Sequence, residues 1–397
     1  MSGHPFAGEL AIRPAILAVA LLLPVSPSAR PPVVAAQTPA TASAPIEVRL
    51  QAKLDSLYAR GHFPGATLGV VFADGRTLAL AVGMADTSRR EPMRPTSLMP
   101  QGSVGKTYVA AVALQLIDEG KLVLDVPVSR YLGNEAWWKR MPNAEAMTVR
   151  QIMNHTSGLV RYEFDERFLA DLLKNPYRVW KVEEQLAYLF DRPAPFAAGQ
   201  GWDYSDTNYL VLGLIIERLT GHALNEEIRR RVIGPAGLRE TIPNDRPDLP
   251  LVQGYAGADN PFGGDVMFVN GRMTMNPAFE GAGGGWSSTA LDLARWAKIV
   301  YEGRIVPAAR IAEAVQGVPA QLGPEVRYGL GVIIWPSPRG PVWGHSGYFP
   351  GYITEMRYYP DAKIAVAFQM NSSVPRALGR APGGLLNEIA DMVRAER

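Results

Sequence analysis

The sequence predicts an α+β fold, with an antiparallel sheet flanked by helices and a mostly helical lobe. Three observations lead to this prediction. Short apolar runs typical of strands lie near both ends of the chain, within 46–100 and 325–397. The segment between them, about 103–300, places its apolar residues mostly at helical spacing. The simplest arrangement is one sheet built from both ends, with the helical middle as a separate lobe and a cleft between the two.

The composition excludes several classes of protein. The chain has 397 residues, 47% of them apolar and 20% charged, with a formal net charge of +2. These values are typical of a globular protein and exclude a disordered or fibrous chain. There is no cysteine, so disulfides, thiolate nucleophiles and thiolate metal sites are excluded. The near-balanced charge gives no basic footprint for nucleic acid, and no nucleic-acid partner is expected.

The first 36 residues resemble a secretory signal. Arg13 precedes an apolar run at 15–23, which is about nine residues long and too short to span a bilayer at roughly 20 residues. Small residues at 34–36 offer a cleavage position before Gln37. The sequence therefore predicts a signal peptide at 1–36, with a retained membrane anchor as the alternative.

Two further parts follow the predicted signal. Residues 37–45 are rich in Thr, Ala and Pro and are expected to form a flexible leader. Residues 46–397 are expected to form one catalytic domain. Because no other segment approaches membrane length, we expect a periplasmic or secreted protein without a membrane span in the mature chain.

The N-terminal elements are predicted from apolar spacing and turn residues. Helical spacing predicts a helix at Ile46–Arg60, ended by Gly61. Two apolar runs, Gly65–Phe72 and Arg76–Val82, flank a turn and predict a hairpin. A long helix is predicted at Ser103–Glu119.

The same criteria predict the rest of the chain. Helices are expected at Thr148–Asn154, Phe164–Lys174, Val182–Phe190, Thr207–Leu219, Leu224–Val232, Leu291–Tyr301 and Leu385–Arg394. An Asn-Gly pair between Val266–Val269 and Arg272–Met275 predicts a tight hairpin. Strands are expected at Tyr328–Ile334, Val342–Gly344, Ile353–Tyr359 and Ile364–Gln369.

Ser103 and Lys106 form the first candidate catalytic motif. Residues at i and i+3 share one face of a helix, so the hydroxyl and the amine can meet. A serine hydroxyl is a weak nucleophile until a base takes its proton, and a lysine can do so only if its pKa is lowered. Taken alone, the pair also fits a helix-capping serine followed by a surface lysine.

The second motif is the run Tyr204-Ser205-Asp206. A phenol can relay a proton between a nucleophile and a leaving group when nearby cations lower its pKa. In isolation the same residues fit a loop tyrosine followed by a helix cap.

The third motif is Gly344-His345-Ser346-Gly347, at the end of a predicted strand. Glycine there allows a ligand to approach the backbone, and N–H groups on a free strand edge can bind a substrate or an oxyanion. In isolation it fits a turn with a surface histidine.

Together and in this order, the motifs resemble the serine β-lactamase and penicillin-binding superfamily, in the branch of class C β-lactamases, D-Ala-D-Ala carboxypeptidases and related esterases. The resemblance covers about 47–395. It extends to the stretches Leu124–Val128, Asn154–Leu159, Tyr204–Tyr209 and Gly283–Thr289. It implies the β-lactamase/transpeptidase-like fold and no cofactor or metal.

The resemblance also implies residue roles. Ser103 would be the acylated nucleophile, Lys106 would share its proton, and Tyr204 would act as general base and acid. The backbone N–H groups of Ser103 and Tyr348 would form the oxyanion hole. Substrate would be bound by four residues of the second and third motifs: Asp206, His345, Ser346 and Gly347.

Two positions depart from the usual pattern of the superfamily. Asp206 stands where asparagine is usual, and an anion there would favour a charged Lys106 and move the role of base to Tyr204. His345 stands where typical β-lactamases have a lysine. An imidazole with a reference pKa of about 6.5 would be charged only part of the time near neutrality.

These features predict an exported serine hydrolase that acts on an amide or ester of a small molecule or peptide. A peptidase or carboxypeptidase-like activity ranks first. A family VIII-type esterase or a class C-like β-lactamase is the alternative, and a penicillin-binding sensor without turnover is the second alternative.

Two other kinds of site are not expected. The five histidines have no metal-ligand spacing, so no metal site is predicted. The glycine-rich run at 281–285 lacks the Lys-Ser/Thr of a phosphate-binding loop.

Overall fold

The computed structural model describes residues 44–258, 260–374 and 376–396. The predicted signal peptide at 1–36 lies outside these residues, as does the leader up to residue 43. Within the described ranges, no helix has the length and apolar character needed to cross a bilayer.

Fourteen strands are found in the described residues. In chain order they are β1 (Gly65–Val71), β2 (Thr77–Asp86), β3 (Glu91–Pro92), β4 (Met99–Pro100), β5 (Thr241–Pro243), β6 (Phe268–Val269), β7 (Arg272–Met273), β8 (Trp286–Ser288), β9 (Val318–Pro319), β10 (Arg327–Tyr328), β11 (Ile333–Trp335), β12 (Val342–Phe349), β13 (Tyr352–Tyr359) and β14 (Ile364–Met370).

One large sheet joins the two ends of the chain. Its order is β3-β2-β1-β14-β13-β12-β11-β10-β9. The N-terminal and C-terminal strands meet where β1 pairs antiparallel with β14, with Ala66 opposite Met370. The predicted α+β fold with an antiparallel sheet is confirmed, and shorter strands form two further sheets, β4-β8-β5 and β6-β7.

Helices make up much of the remaining described chain. The α-helices are α1 (Ile46–Arg60), α2 (Lys106–Asp118), α3 (Ser129–Leu132), α4 (Val149–Met153), α5 (Glu166–Lys174), α6 (Val182–Leu186), α7 (Thr207–Thr220), α8 (Leu224–Ile228), α9 (Gly234–Ala236), α10 (Ala290–Tyr301), α11 (Ala308–Ala314) and α12 (Pro382–Arg394). Short 3₁₀ or π turns occupy Gly102–Gly105, Trp138–Arg140, Tyr162–Phe164, Ala187–Leu189, Arg229–Ile233 and Pro277–Gly283.

Helices cover both faces of the large sheet, as the alternating side chains of β1 show. Leu68 and Val70 pack into the core shared with α1 and α12. Side chains at alternate positions point to the other face. There a Cβ on Gly69 would lie 2.2 Å from the carbonyl oxygen of Ala290, so α10 starts directly against the strand. Each fully buried aliphatic side chain contributes about 1.5–3 kcal/mol.

The predicted helix at Ser103–Glu119 is divided in the structure. Residues Gly102–Gly105 form a 3₁₀ turn, and the regular helix α2 begins at Lys106. Gly102 has φ +51, and a Cβ there would lie 2.3 Å from the carbonyl oxygen of Tyr348. The left-handed residue and this close approach produce a tighter turn than an α-helix would give.

Two predicted strands also differ from the structure. The stretch predicted at Tyr328–Ile334 is two short strands, β10 and β11, because Gly331 has φ +79 and turns the chain between them. The strand predicted at Val342–Gly344 continues to Phe349 as β12. The third motif therefore lies within a strand rather than after it.

Candidate active site

The three motifs meet in a cleft of about 530 Å³. Its lining includes Ser103, Tyr204 and His345, which are far apart in the sequence. The 3₁₀ turn before α2 supplies the serine, the loop before α7 supplies the tyrosine, and β12 supplies the histidine. The fold therefore brings together the candidate residues that the sequence predicted.

Lys106 is fully buried and surrounded by acceptors. Its Nζ lies 2.9 Å from Ser103 Oγ and also donates to Asp206 Oδ1 and the carbonyl oxygen of Gly283. Three acceptors match the three donors of an ammonium group. Burial alone would lower the pKa of Lys106, but the adjacent Asp206 carboxylate outweighs it and the pKa is raised. Lys106 is therefore a cation at neutral pH.

Asp206 lies between two cations. One carboxylate oxygen accepts from Lys106, and the other accepts from the Arg161 guanidinium at 2.8 Å. Burial would raise the pKa of Asp206, but Lys106 and Arg161 hold it below its usual range. Asp206 is therefore ionised and bridges the two cations.

Tyr204 packs beside Lys106 without a hydrogen bond of its own. Its hydroxyl is buried and has no hydrogen-bond partner among the described residues. The ring centroid lies 5.0 Å from Lys106 Nζ and 4.3 Å from the centroid of the His155 ring. Burial raises the pKa of Tyr204, and the charge of Lys106 opposes that rise. The oxygen is free to exchange a proton with a neighbour in the cleft.

His345 is buried, and both of its ring nitrogens have protein partners. Nδ1 lies 2.6 Å from the carbonyl oxygen of Ser346, so it must carry the proton, and Nε2 accepts from the Tyr328 hydroxyl at 2.9 Å. Burial and the charge of Lys106 lower the pKa of His345 to about 3. The imidazole is therefore neutral at physiological pH.

The edge of β12 lies directly against the turn that carries the serine. Among the described residues, pairing of β11 with β12 ends at Gly344, opposite Ile333. Further along, a Cβ on Gly347 would lie 2.0 Å from the carbonyl oxygen of Gln101. A Cβ on Gly102 would lie 2.8 Å from the backbone nitrogen of Tyr348. The main chain at Ser103 therefore adjoins the main chain at Tyr348.

Arg161, Glu163 and Glu280 were not predicted from the sequence. Arg161 donates to Asp206 and, at 2.6 Å, to Glu163. Both glutamates line a smaller cavity that also reaches Ser103. The one available signal was the position of Glu280, directly before the glycine-rich run whose Gly283 carbonyl accepts from Lys106.

The acidity of both glutamates is weakened by their surroundings. Burial and the charge of Asp206 raise the pKa of Glu163 well above its usual value. Burial raises the pKa of Glu280 to about 8, although Lys106 opposes the shift. Both carboxyls therefore favour their protonated forms more than a solvent-exposed glutamate does.

Glu280→Gln should change how stability depends on pH. An unfolded glutamate ionises near pH 4.3, whereas Glu280 keeps its proton to about pH 8. The raised pKa means that wild-type stability falls as pH rises between these values. The variant lacks this loss. We expect the free energy of unfolding of the variant, measured with urea, to rise relative to that of wild type by up to about 4 kcal/mol between pH 5 and pH 8. An equal difference at both pH values would contradict the assignment.

Comparison with known proteins places this geometry in a family. The family model for beta-lactamase matches residues 50–389. The chain belongs to the beta-lactamase family. It is 27% identical over 332 residues to esterase EstB of Burkholderia gladioli, covering 76% of this chain and 79% of that protein. It is also 27% identical over 346 residues to penicillin-binding protein 4 of Amycolatopsis lactamdurans, covering 82% of this chain and 85% of that protein.

A solved structure agrees with this assignment. The D-stereospecific amidohydrolase from a Streptomyces species superposes with a TM-score of 0.72 at 27% identity, covering 85% of this chain and all of that one. The predicted resemblance and the β-lactamase/transpeptidase-like fold are thus confirmed. As a member of the beta-lactamase family, the chain is a hydrolase. It is similar both to an esterase and to an amidohydrolase.

Proposed function

We propose that this chain is an exported serine hydrolase that cleaves amides of the peptidase type through an acyl-enzyme at Ser103. The observation that supports this most directly is the 2.9 Å contact between Ser103 Oγ and the buried Lys106 Nζ. The contact lies beside a tyrosine oxygen that has no other partner in the described chain.

The proposed acylation conserves protons. When Tyr204 is ionised, Ser103 Oγ attacks the substrate carbonyl carbon, and the hydroxyl proton passes to the Tyr204 phenolate oxygen. The carbonyl becomes an oxyanion. When the bond to the leaving group breaks, Tyr204 returns the proton to the departing nitrogen or oxygen. Water then repeats the sequence on the ester, releasing the acid and restoring Ser103.

The charge of Lys106 determines which of the two groups, Lys106 or Tyr204, accepts the serine proton. Lys106 is held as a cation by Asp206, so it cannot accept the serine proton in that state. It can donate a hydrogen bond to Ser103 Oγ and stabilise negative charge on it. Tyr204 is then the group that accepts the proton, and it does so as a phenolate, whose charge the same lysine stabilises against the effect of burial.

The oxyanion would lie between two main-chain N–H groups. The chain at Ser103 adjoins the backbone nitrogen of Tyr348 through Gly102. Preorganised N–H donors at such a position stabilise the developing charge, and removing one donor typically costs about 10²–10³-fold in rate.

His345 bears on the substrate class. Its imidazole is neutral, and both nitrogens are engaged within the protein. It therefore provides no cation for a substrate carboxylate, which weighs against a β-lactamase. Similarity to an amidohydrolase favours amides, and similarity to esterase EstB favours esters as the second candidate.

A matched substrate panel tests this proposal. An aminoacyl p-nitroanilide, p-nitrophenyl butyrate and a chromogenic cephalosporin are compared by kcat/KM, each with a Ser103→Ala control. We expect serine-dependent turnover of the anilide and the butyrate, with the cephalosporin at least tenfold slower than the better of the two. Absence of serine-dependent turnover on all three, or preference for the cephalosporin, would overturn the proposal.

Asp206→Asn should move the pH dependence of the reaction. The Asp206 carboxylate raises the pKa values of both Lys106 and Tyr204. An amide of the same shape removes that charge and lowers both. We expect the alkaline rise of kcat/KM to begin at a lower pH in the variant. Measuring kcat/KM at a series of pH values from 6 to 11 tests this. A rise at unchanged or higher pH would contradict the proposed base.

A further inference from the structure

Exposed apolar side chains are concentrated in two short stretches of the chain, which together we call the apolar-basic patch. One stretch, 173–181, ends α5 and leads to α6, and the other, 266–276, contains the β6–β7 hairpin. Single exposed apolar residues are normal, whereas a cluster of them marks an interaction site. Of the ten large apolar side chains that are exposed in the described residues, four lie in the patch: Leu173 (51% exposed), Tyr177 (38%), Val179 (74%) and Val269 (54%).

Direct contacts hold the two stretches together. The Tyr177 hydroxyl donates to the carbonyl oxygen of Met273 at 2.9 Å. The guanidinium carbon of Arg272 lies 3.7 Å from the centroid of the Tyr177 ring. Arg272 is also the cross-strand partner of Val269 in the hairpin. The two stretches therefore form one continuous surface.

The patch carries positive charge among its apolar side chains. Its two stretches contain no Asp or Glu, and they contain four basic residues, Lys174, Arg178, Lys181 and Arg272. Arg178 pairs with Glu184 at 3.0 Å. Lys174 and Arg272 form no ion pair with a carboxylate of the described chain. The patch therefore presents cations that the protein itself leaves unpaired.

The carboxylates that flank the patch do not cancel this charge. Asp171 accepts from the Tyr188 hydroxyl at 2.6 Å. Glu183 lines a separate cavity beside α7. Glu184 and Asp265 remain next to the patch, and they are fewer than its four cations. The surface is therefore net positive as well as apolar.

A partner that fits this surface must offer both apolar groups and negative charge. A bilayer with anionic headgroups offers both, since apolar side chains enter the boundary of the acyl region while Lys and Arg contact the headgroups. Tyrosine is also typical of side chains at a membrane interface. A protein partner fits less well, because lysine is depleted in protein–protein interfaces. We propose that the apolar-basic patch binds the surface of an anionic lipid bilayer.

The patch adjoins the catalytic side of the molecule. A Cβ on Gly263 would lie 3.1 Å from Leu173 Cδ2. The preceding residue, Phe262, lines the small cavity beside Ser103. Docking would therefore hold the active site close to the bilayer surface. The proposal itself concerns binding and does not depend on which bond the enzyme cleaves.

A dye attached at position 179 tests the proposal. The chain has no cysteine, so Val179→Cys and Val123→Cys each give a single labelling site for a polarity-sensitive dye. Val123 is also exposed and lies outside both stretches. We expect phosphatidylglycerol vesicles to shift the emission of the dye at 179 to the blue, with at least tenfold tighter binding than phosphatidylcholine vesicles. The dye at 123 should not respond. Lipid binding by residues 1–36 would not by itself move the dye at 179 into the bilayer.

Two double variants of the labelled protein test the contribution of charge. Lys174→Gln with Arg272→Gln should weaken binding to phosphatidylglycerol vesicles by at least tenfold. Arg90→Gln with Arg94→Gln removes the same charge from exposed positions outside the patch and should change the affinity less than about threefold. Unchanged ester hydrolysis in both double variants confirms that they are folded.

Several results would overturn the proposal. These are an emission at 179 that phosphatidylglycerol vesicles leave unchanged, equal binding to both kinds of vesicle, or equal losses in the two double variants. A blue shift that appears without vesicles as the protein concentration rises would assign the patch to a second copy of the chain instead.

Discussion

Ser103→Ala should abolish hydrolysis of every substrate that the protein turns over, with a loss of at least about 10⁴-fold in kcat. Removing a catalytic nucleophile lowers kcat by a factor of this order, because the remaining binding groups only partly replace its contribution. The serine is partly exposed at the cleft rather than part of the core. We therefore expect the free energy of unfolding to change by less than about 1 kcal/mol.

Ser373→Ala is the matched control for this variant. Ser373 lines the same cleft, and its hydroxyl accepts from the backbone N–H of Gly351 rather than contacting Lys106. We expect less than a tenfold change in kcat for this control. Turnover retained in Ser103→Ala, or comparable losses in both variants, would show that the nucleophile is misassigned.

Tyr204→Phe should have the second largest effect. Deleting the hydroxyl removes the proposed proton carrier, and general acid–base catalysis typically contributes 10²–10⁴-fold. Because that hydroxyl has no hydrogen-bond partner among the described residues, its loss should leave stability unchanged or slightly improved. Steady-state kinetics and urea unfolding measure the two effects.

Tyr328→Phe provides the contrasting control. Tyr328 is also buried, but its hydroxyl donates to His345 Nε2 at 2.9 Å. Its removal leaves a buried acceptor unpaired and should cost about 1–3 kcal/mol of stability. We expect the tyrosine at 204 to matter mainly for rate and the tyrosine at 328 mainly for folding. A Tyr204→Phe variant within tenfold of wild-type kcat would contradict the proposed base.

The sequence predicted the fold largely because periodicity is a local property. The helix expected at Ile46–Arg60 has these bounds in the structure, since its apolar residues recur at helical spacing and Gly61 follows. The large sheet built from both ends was predicted because strand patterns lie at both ends of the sequence. The break between β10 and β11 was missed, because it depends on a left-handed Gly331 whose conformation local spacing does not specify.

The candidate site was predictable only where its contacts are local or belong to a known motif. The contact between Ser103 and Lys106 follows from i, i+3 spacing. Arg161 and Asp206 form an ion pair although they are 45 residues apart in the sequence, and no local pattern predicts this pair. The burial of His345 was also invisible in the sequence, although it determines that the imidazole is neutral.

Glu163 and Glu280 likewise could not be recognised as site residues from the sequence. A glutamate in a sequence is most simply read as a solvated surface residue. Glu163 is 7% exposed, and its environment is assembled from loops more than 40 residues apart. Only the folded chain shows that burial raises the pKa of both glutamates.

Acid-quenched mass spectrometry tests the central claim most directly. The protein is mixed with an excess of a p-nitrophenyl ester, quenched within its first turnovers, and digested. We predict that the acyl mass appears on the peptide containing Ser103 and is absent from Ser103→Ala protein. An acyl group on another residue, or hydrolysis that continues unchanged in Ser103→Ala protein, would contradict the account.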